Sequence, residues 1–253
     1  MKFGKFTSVM CSLACLLIVA FAVTASADSY FKQQTYTGAM EMMGNSTPER
    51  YDTTETWVTK NRAYAILPGD YAFLIKVDEG IGISINHNDS SYAEIPLDFD
   101  KLFAGATDSS EEAEEAKKMA EQMMGQMDIT VTTTEETKKI KDWNTKKYIL
   151  EIKMGMMGTK SNIWATQDID IDYDLYYLAT NAMMASMPGF EDLVSEFNKI
   201  KGITVLSEGE IDMMGSKTTS SNELLEYKEA TPPAGIYEIP AGYKKISMPG
   251  MGK

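Results

Sequence analysis

Apolar and polar residues alternate with a period of two through most of this chain, a pattern that suits strands burying one face. Tyr71, Phe73, Ile75 and Val77 share one side of a strand expected over 71–77. Tyr148, Leu150, Ile152 and Met154 alternate with charged residues over 147–154. Similar runs predict strands at 63–67, 81–85, 92–95, 128–134, 160–166, 203–213 and 217–227, separated by Gly, Asn and Asp turns. A first hairpin is expected to carry Tyr36, Gly38, Met40 and Met42 on one face. It turns through 44–48 and returns through Tyr51, Thr53, Glu55 and Trp57. Together these strands read as a meandering antiparallel sheet with one apolar face.

The period changes in two places. Ser109 and Glu112 form a capping box, followed by Ala113, Ala116, Ala120, Met123 and Met127 at spacings of three and four. That spacing predicts an amphipathic helix, with Glu114 and Lys118 as a favourable i,i+4 pair on its charged side. A second helical block covers 173–187 and breaks at Pro188-Gly189. It resumes with Phe190, Leu193, Val194, Phe197 and Ile200, and stops at Gly202. Strand-rich stretches interrupted by helices argue for an α+β class rather than a parallel α/β fold. A Pro-rich segment over 231–243 closes the chain.

Lys2 and Lys5, an apolar run over 10–23 and the small-residue site Ala25-Ser26-Ala27 read as an export signal cleaved after Ala27. The run falls short of the ~20 residues a spanning helix needs. The expected layout is therefore a signal peptide at 1–27 and a single domain at 28–253, with helical insertions near 98–127 and 173–201. The expected location is periplasmic or secreted. Cys11 and Cys15 both lie in the signal, so the cleaved chain would hold no thiol, disulfide or thiolate metal site. Ser12-Leu13-Ala14-Cys15 resembles a lipidation site, but Leu16-Leu17-Ile18-Val19 would then remain on the exported protein, and that reading is rejected. With 24 Lys+Arg against 37 Asp+Glu, the net charge of −13 argues against a nucleic-acid partner.

Residues suited to catalysis are few. His87, the single histidine, sits in Asn86-His87-Asn88-Asp89-Ser90, whose composition reads as a turn. No nucleophile-elbow motif accompanies it. Asp168, Asp170, Asp172 and Asp174 alternate, but they lack the Gly and terminal Glu of a calcium loop. They read as a strand end leading into a helix N-terminus, and no metal site or cofactor is expected. Methionine is the outlier, with 19 in the chain and a repeated Met-Met-Gly at 42–44, 123–125, 156–158 and 213–215. Three readings of these thioethers stand open: gap-filling core, lining for an irregular apolar ligand, and soft ligands for Cu(I).

The stretch Glu136-Thr137-Lys138-Lys139-Ile140-Lys141-Asp142-Trp143-Asn144-Thr145-Lys146-Lys147-Tyr148, with Ile163-Trp164-Ala165-Thr166-Gln167-Asp168-Ile169, resembles secreted bacterial proteins of the domain-of-unknown-function 4412 family. The ending Pro233-Ala234-Gly235-Ile236-Tyr237-Glu238-Ile239-Pro240-Ala241-Gly242-Tyr243 is similar to that family's closing motif. The resemblance extends to the periplasmic lipoprotein carriers and their outer-membrane receptors. It implies a curved antiparallel sheet, an incomplete β-barrel, with helices covering its concave face. The expected function is a non-enzymatic binding or carrier protein for a hydrophobic ligand such as a lipid, an acyl chain or a lipid-modified protein. A structural or interaction module of the cell envelope is the alternative, and Met-based Cu(I) binding a lesser one. The expected lining is Met40, Met42, Trp57, Phe73, Ile75, Leu150, Ile152 and Met154, with Met183, Met184 and Met187 as lid.

Overall fold

The computed structural model describes residues 28–247 apart from 43, 99–100, 102–113, 116, 120–121, 123–124 and 172–189. Its centre is the pairing of β1 (Asp28–Thr37) with β13 (Ser216–Ala230), which joins the two ends of the chain. On one side of that pair an antiparallel meander runs through β4 (Arg50–Val58), β5 (Arg62–Leu67), β6 (Tyr71–Lys76), β7 (Ile81–Asn86) and β8 (Ser91–Pro96). On the other side lie β12 (Ile203–Met213), β11 (Met157–Thr166), β10 (Trp143–Met154) and β9 (Met127–Ile140). A two-residue strand, β14 (Lys244–Lys245), adds to β8 in parallel and completes a 12-stranded mixed sheet. A separate small hairpin, β2 (Met40–Met42) with β3 (Asn45–Thr47), fills the connection between β1 and β4.

This architecture corrects the expected fold class. The described residues are mostly strand, the sheet does not close into a barrel, and helices do not cover a concave face. Among the described residues, the helices with full bounds are a 3₁₀ turn at Val77–Glu79 and α1 (Phe190–Phe197). The sheet stays open in that β14 and β9 are its two outer strands and do not pair with each other. Of the helix expected after Ser109, the described residues Glu114, Glu115, Lys117, Lys118, Met119 and Gln122 are helical, but Met127 opens β9 instead of closing that helix. The block at 173–187 and the expected signal peptide at 1–27 lie outside the described residues. Phe190–Phe197 is helical as its spacing predicts, whereas 198–200, expected to continue it, form a turn. Gly202 ends this segment at φ +99°, and a Cβ there would overlap the Thr166 carbonyl.

Strand partners share a face, so the register assigns the core to two sides. Ser29, Val58, Ala63, Ile75, Gly82 and Ile95 follow one another across six strands on one face. Phe31, Val205 and Leu224 belong to the same cluster, joined by Ile169 and Ile203. Further along that face, Ile129, Val131, Tyr148, Leu150 and Ile163 pack with Ile200 and with Val194 and Phe197 of α1. Between the two clusters, polar Thr35 and Asn222 are hydrogen-bonded side chain to side chain at 2.9 Å. The opposite face carries Tyr64, Ala72, Leu74, Ile83 and Ile85. Ile236, Tyr237, Ile239 and Tyr243 of the closing segment lie against them.

The β4–β8 meander therefore buries both of its faces, which removes the single exposed-and-buried alternation expected of it. Burial of this kind stabilises by about 25 cal/mol per Å² of apolar surface. The outer strand β9 is held in part by α1: the Val131 amide donates to Glu196 Oε2 at 2.8 Å. That bond satisfies an edge amide that would otherwise face water.

Candidate functional site

Two hairpin turns bring four methionines into one row. The β10–β11 turn places Gly155 at φ +58°, a residue type suited to the first central position of a tight hairpin. Met154 then opposes Met157 directly. The β12–β13 turn holds both Met214 (φ +57°) and Gly215 (φ +88°) in the left-handed region, as a type I′ turn requires. Met213 consequently pairs with Met157, while Met127 of β9 pairs with Met154. The row Met127, Met154, Met157, Met213 crosses four adjacent strands on one face. The two turns are joined by the Met214 amide, which donates to the Met156 carbonyl at 3.1 Å. Part of the Met-Met-Gly repetition is thus hairpin chemistry: Gly44 and Gly215 supply a positive φ within their own copies, while the turn before 156–158 takes it from Gly155.

The row lines a recess of about 190 Å³ together with Ile152, Thr159 and Ile211. The reverse side of the same strands is charged. Lys160 pairs with Glu151 at 2.6 Å, and Lys217 with Glu210 at 2.6 Å. Lys160 holds the Glu151 carboxyl below the usual glutamate range. Thioethers and aliphatic groups on one face, ion pairs on the other, make the recess side the apolar one.

The expected lining residues do not converge. Ile152 and Met154 reach the recess. Leu150 is buried beneath α1 with Ile129 and Val131. Phe73 and Ile75 belong to the core cluster around Phe31 and Val58. The Phe73 ring lies where a Cβ on Gly82 would come within 2.8 Å of it. Trp57 stands on the opposite face, paired with Tyr64 and with its ring 4.8 Å from that of Tyr30. Met40 is half-buried on β2, which borders β13 rather than the recess strands. Met42 ends the same strand opposite Asn45, and its side chain lies outside the described residues. Met183, Met184 and Met187 lie outside them too. Sequence reasoning missed Met127, Met157, Met213 and Ile211. The signal that could have found them is the turn at Gly155, which puts Met154 and Met157 in register.

His87 is hydrogen-bonded through Nδ1 to the Tyr243 hydroxyl at 2.8 Å and lies 3.4 Å from the Tyr64 hydroxyl through Nε2. It fastens the closing segment to the sheet. Asp168 accepts from the Asn144 backbone amide at 2.6 Å and from Asn144 Nδ2 at 3.0 Å, which ties the strand end to the β9–β10 hairpin. Asp170 is exposed, and Asp172 and Asp174 lie outside the described residues. Among the described residues, no three His, Cys, Asp or Glu side chains converge as a metal site, and no helix is long and apolar enough to cross a membrane.

No protein-family model and no curated protein matches the chain. The likeness to the domain-of-unknown-function 4412 family therefore rests on the residues quoted for it. Among solved structures, 27 chains match. One of them, PNGF-II in a C2 space group, superposes with a TM-score of 0.38 at 12% identity. The match covers 88% of this chain but 31% of the other, so this chain spans about a third of that protein's length. At that score the similarity carries no argument about fold or activity.

Proposed function

We propose that this protein is an exported, non-enzymatic binding module that takes a small apolar group, such as the end of an aliphatic chain, into the methionine recess. The observation that carries the reading is the in-register row Met127, Met154, Met157, Met213 along a recess of about 190 Å³. Unbranched thioethers re-pack around irregular apolar shapes, which rigid β-branched side chains cannot do. The volume is below the ~300 Å³ at which pockets for whole drug-sized ligands begin, so it suits a chain end rather than an engulfed lipid.

The test is methionine-methyl NMR on the purified protein titrated with 1-decanol. Resonances of Met127, Met154, Met157 and Met213 are expected to shift together and to saturate, while exposed Met119 stays still. The variant M154S/M157S is expected to bind about tenfold or more weakly. Unmoved recess resonances would overturn the reading. The same row favours a second reading, Cu(I) held by thioethers. Retention of one copper per chain against bicinchoninate, lost in M154S/M157S, is the result that reading demands.

A further inference from the structure

A second concavity, unrelated to the methionine row, lies at the other end of β9 and β10. It has a volume of about 500 Å³, and Lys138, Lys139, Lys146 and Lys201 all line it, with Asn144, Tyr148 and Asp168 among their neighbours. Lysines elsewhere on this protein are mostly paired with carboxylates, among them Lys32, Lys76, Lys141, Lys160, Lys217 and Lys245. Among the described residues, Lys139 and Lys201 pair with none. Lys146 has only Glu135 at 3.6 Å, and Glu135 is almost wholly exposed. Lys138 lies over the Trp164 ring at 3.9 Å. Asp168 is engaged by both Asn144 donors. The Tyr148 hydroxyl accepts from the Lys201 amide at 3.2 Å, which leaves its own proton to donate.

Four lysines against the single carboxylate of Asp168 leave this concavity with an excess of positive charge, and a ligand carrying two or more negative charges converts the repulsion among them into attraction. Against a net charge of −13, such a grouping is a local exception. The acidic surround repels long polyanions, whereas a small anion can enter. We propose that this groove is a binding site for a small phosphate-bearing ligand, held by Lys139, Lys146 and Lys201. Lysine presents a compact point charge that suits a tetrahedral oxyanion, and no arginine is present to select a planar carboxylate. The phosphate could belong to a free metabolite-sized anion or to a lipid headgroup.

Calorimetric titration of the purified protein with pyrophosphate at low ionic strength tests the site. Saturable one-to-one binding is expected, at least about tenfold weaker in K139Q/K201Q and changed less than about twofold in K60Q/K153Q, which removes the same charge elsewhere. Co-sedimentation with phosphatidylglycerol vesicles, but not with phosphatidylcholine, distinguishes the sources. Vesicle binding that pyrophosphate displaces and K139Q/K201Q abolishes supports the site with a headgroup as ligand. No binding to either probe, or equal weakening in K60Q/K153Q, overturns it. Decanol-induced methionine shifts are read on a different probe at a different place, so either proposal can fail alone.

Discussion

The phenolic hydroxyl of Tyr237 donates a 2.6 Å hydrogen bond to the buried carboxylate of Asp28, tying the first residue of β1 to a segment 209 residues further along the chain. Burial and this acceptor together push the Tyr237 phenol far above its ordinary pKa. Removing the hydroxyl leaves a buried carboxylate short of a donor. Tyr237→Phe is expected to lose about 1–3 kcal/mol in urea denaturation. In the double variant D28N/Y237F part of that loss should return, because the charge left without a partner is gone.

Tyr30 gives the alkaline limb of stability its shape. Burial, and then its hydrogen bond and proximity to Glu55, push its pKa up to about 12. A phenol kept neutral by the fold stabilises fully below its unfolded value near ~10, and that contribution is lost as pH rises toward the folded value. Urea midpoints are therefore expected to fall across that interval, and Tyr30→Phe should flatten the fall. An unchanged slope in the variant would contradict the assignment.

Glu196 works in the acid direction. Lys199, and then the Val131 amide, lower its pKa, so its contribution is present above the unfolded glutamate value and lost as pH falls through the folded one. Glu196→Gln is expected to be less stable than the wild type at neutral pH, with the difference closing on acidification. Amide exchange at Val131 should accelerate in the variant at neutral pH, since α1 no longer covers that edge.

Glycine positions separate space from backbone strain. Gly80 adopts φ +66° with nothing within 4 Å of the place an alanine methyl would take, and Gly80→Ala is expected to cost about 1–2 kcal/mol. Gly202 adopts φ +99° against the Thr166 carbonyl, and Gly202→Ala is expected to cost well beyond that or to prevent folding. Urea midpoints and soluble yield of the two variants measure the contrast.

Core packing gives a final comparison. Leu224 is fully buried where β13 meets the Phe31 cluster, and Leu224→Ala should cost about 2–5 kcal/mol. Ile66 is 41% exposed, and Ile66→Thr should stay within about 0.5 kcal/mol. Equal losses would place the core elsewhere.

The alternation of Tyr148, Leu150, Ile152 and Met154 located β10, and the same local rule located most of the other strands, because a strand's pleat is written in neighbouring residues. The spacing of Phe190, Val194 and Phe197 likewise marked α1. Periodicity says which residues share a strand face, but not which of the two sheet faces that becomes. Trp57 and Ile75 both read as inward, and cross-strand register put them on opposite sides. Met154 was legible as an apolar strand end, yet its partners Met127, Met157 and Met213 came from three other strands. The lysines of the groove come together only through the pairing of β9 with β10 and the return of the chain at Lys201 beyond α1. Local chemistry along the chain determined strands, turns and acidity. The weld of β1 to β13, the open sheet and both concavities were decided only by tertiary pairing, since contacts between distant residues leave no trace in the spacing of near ones.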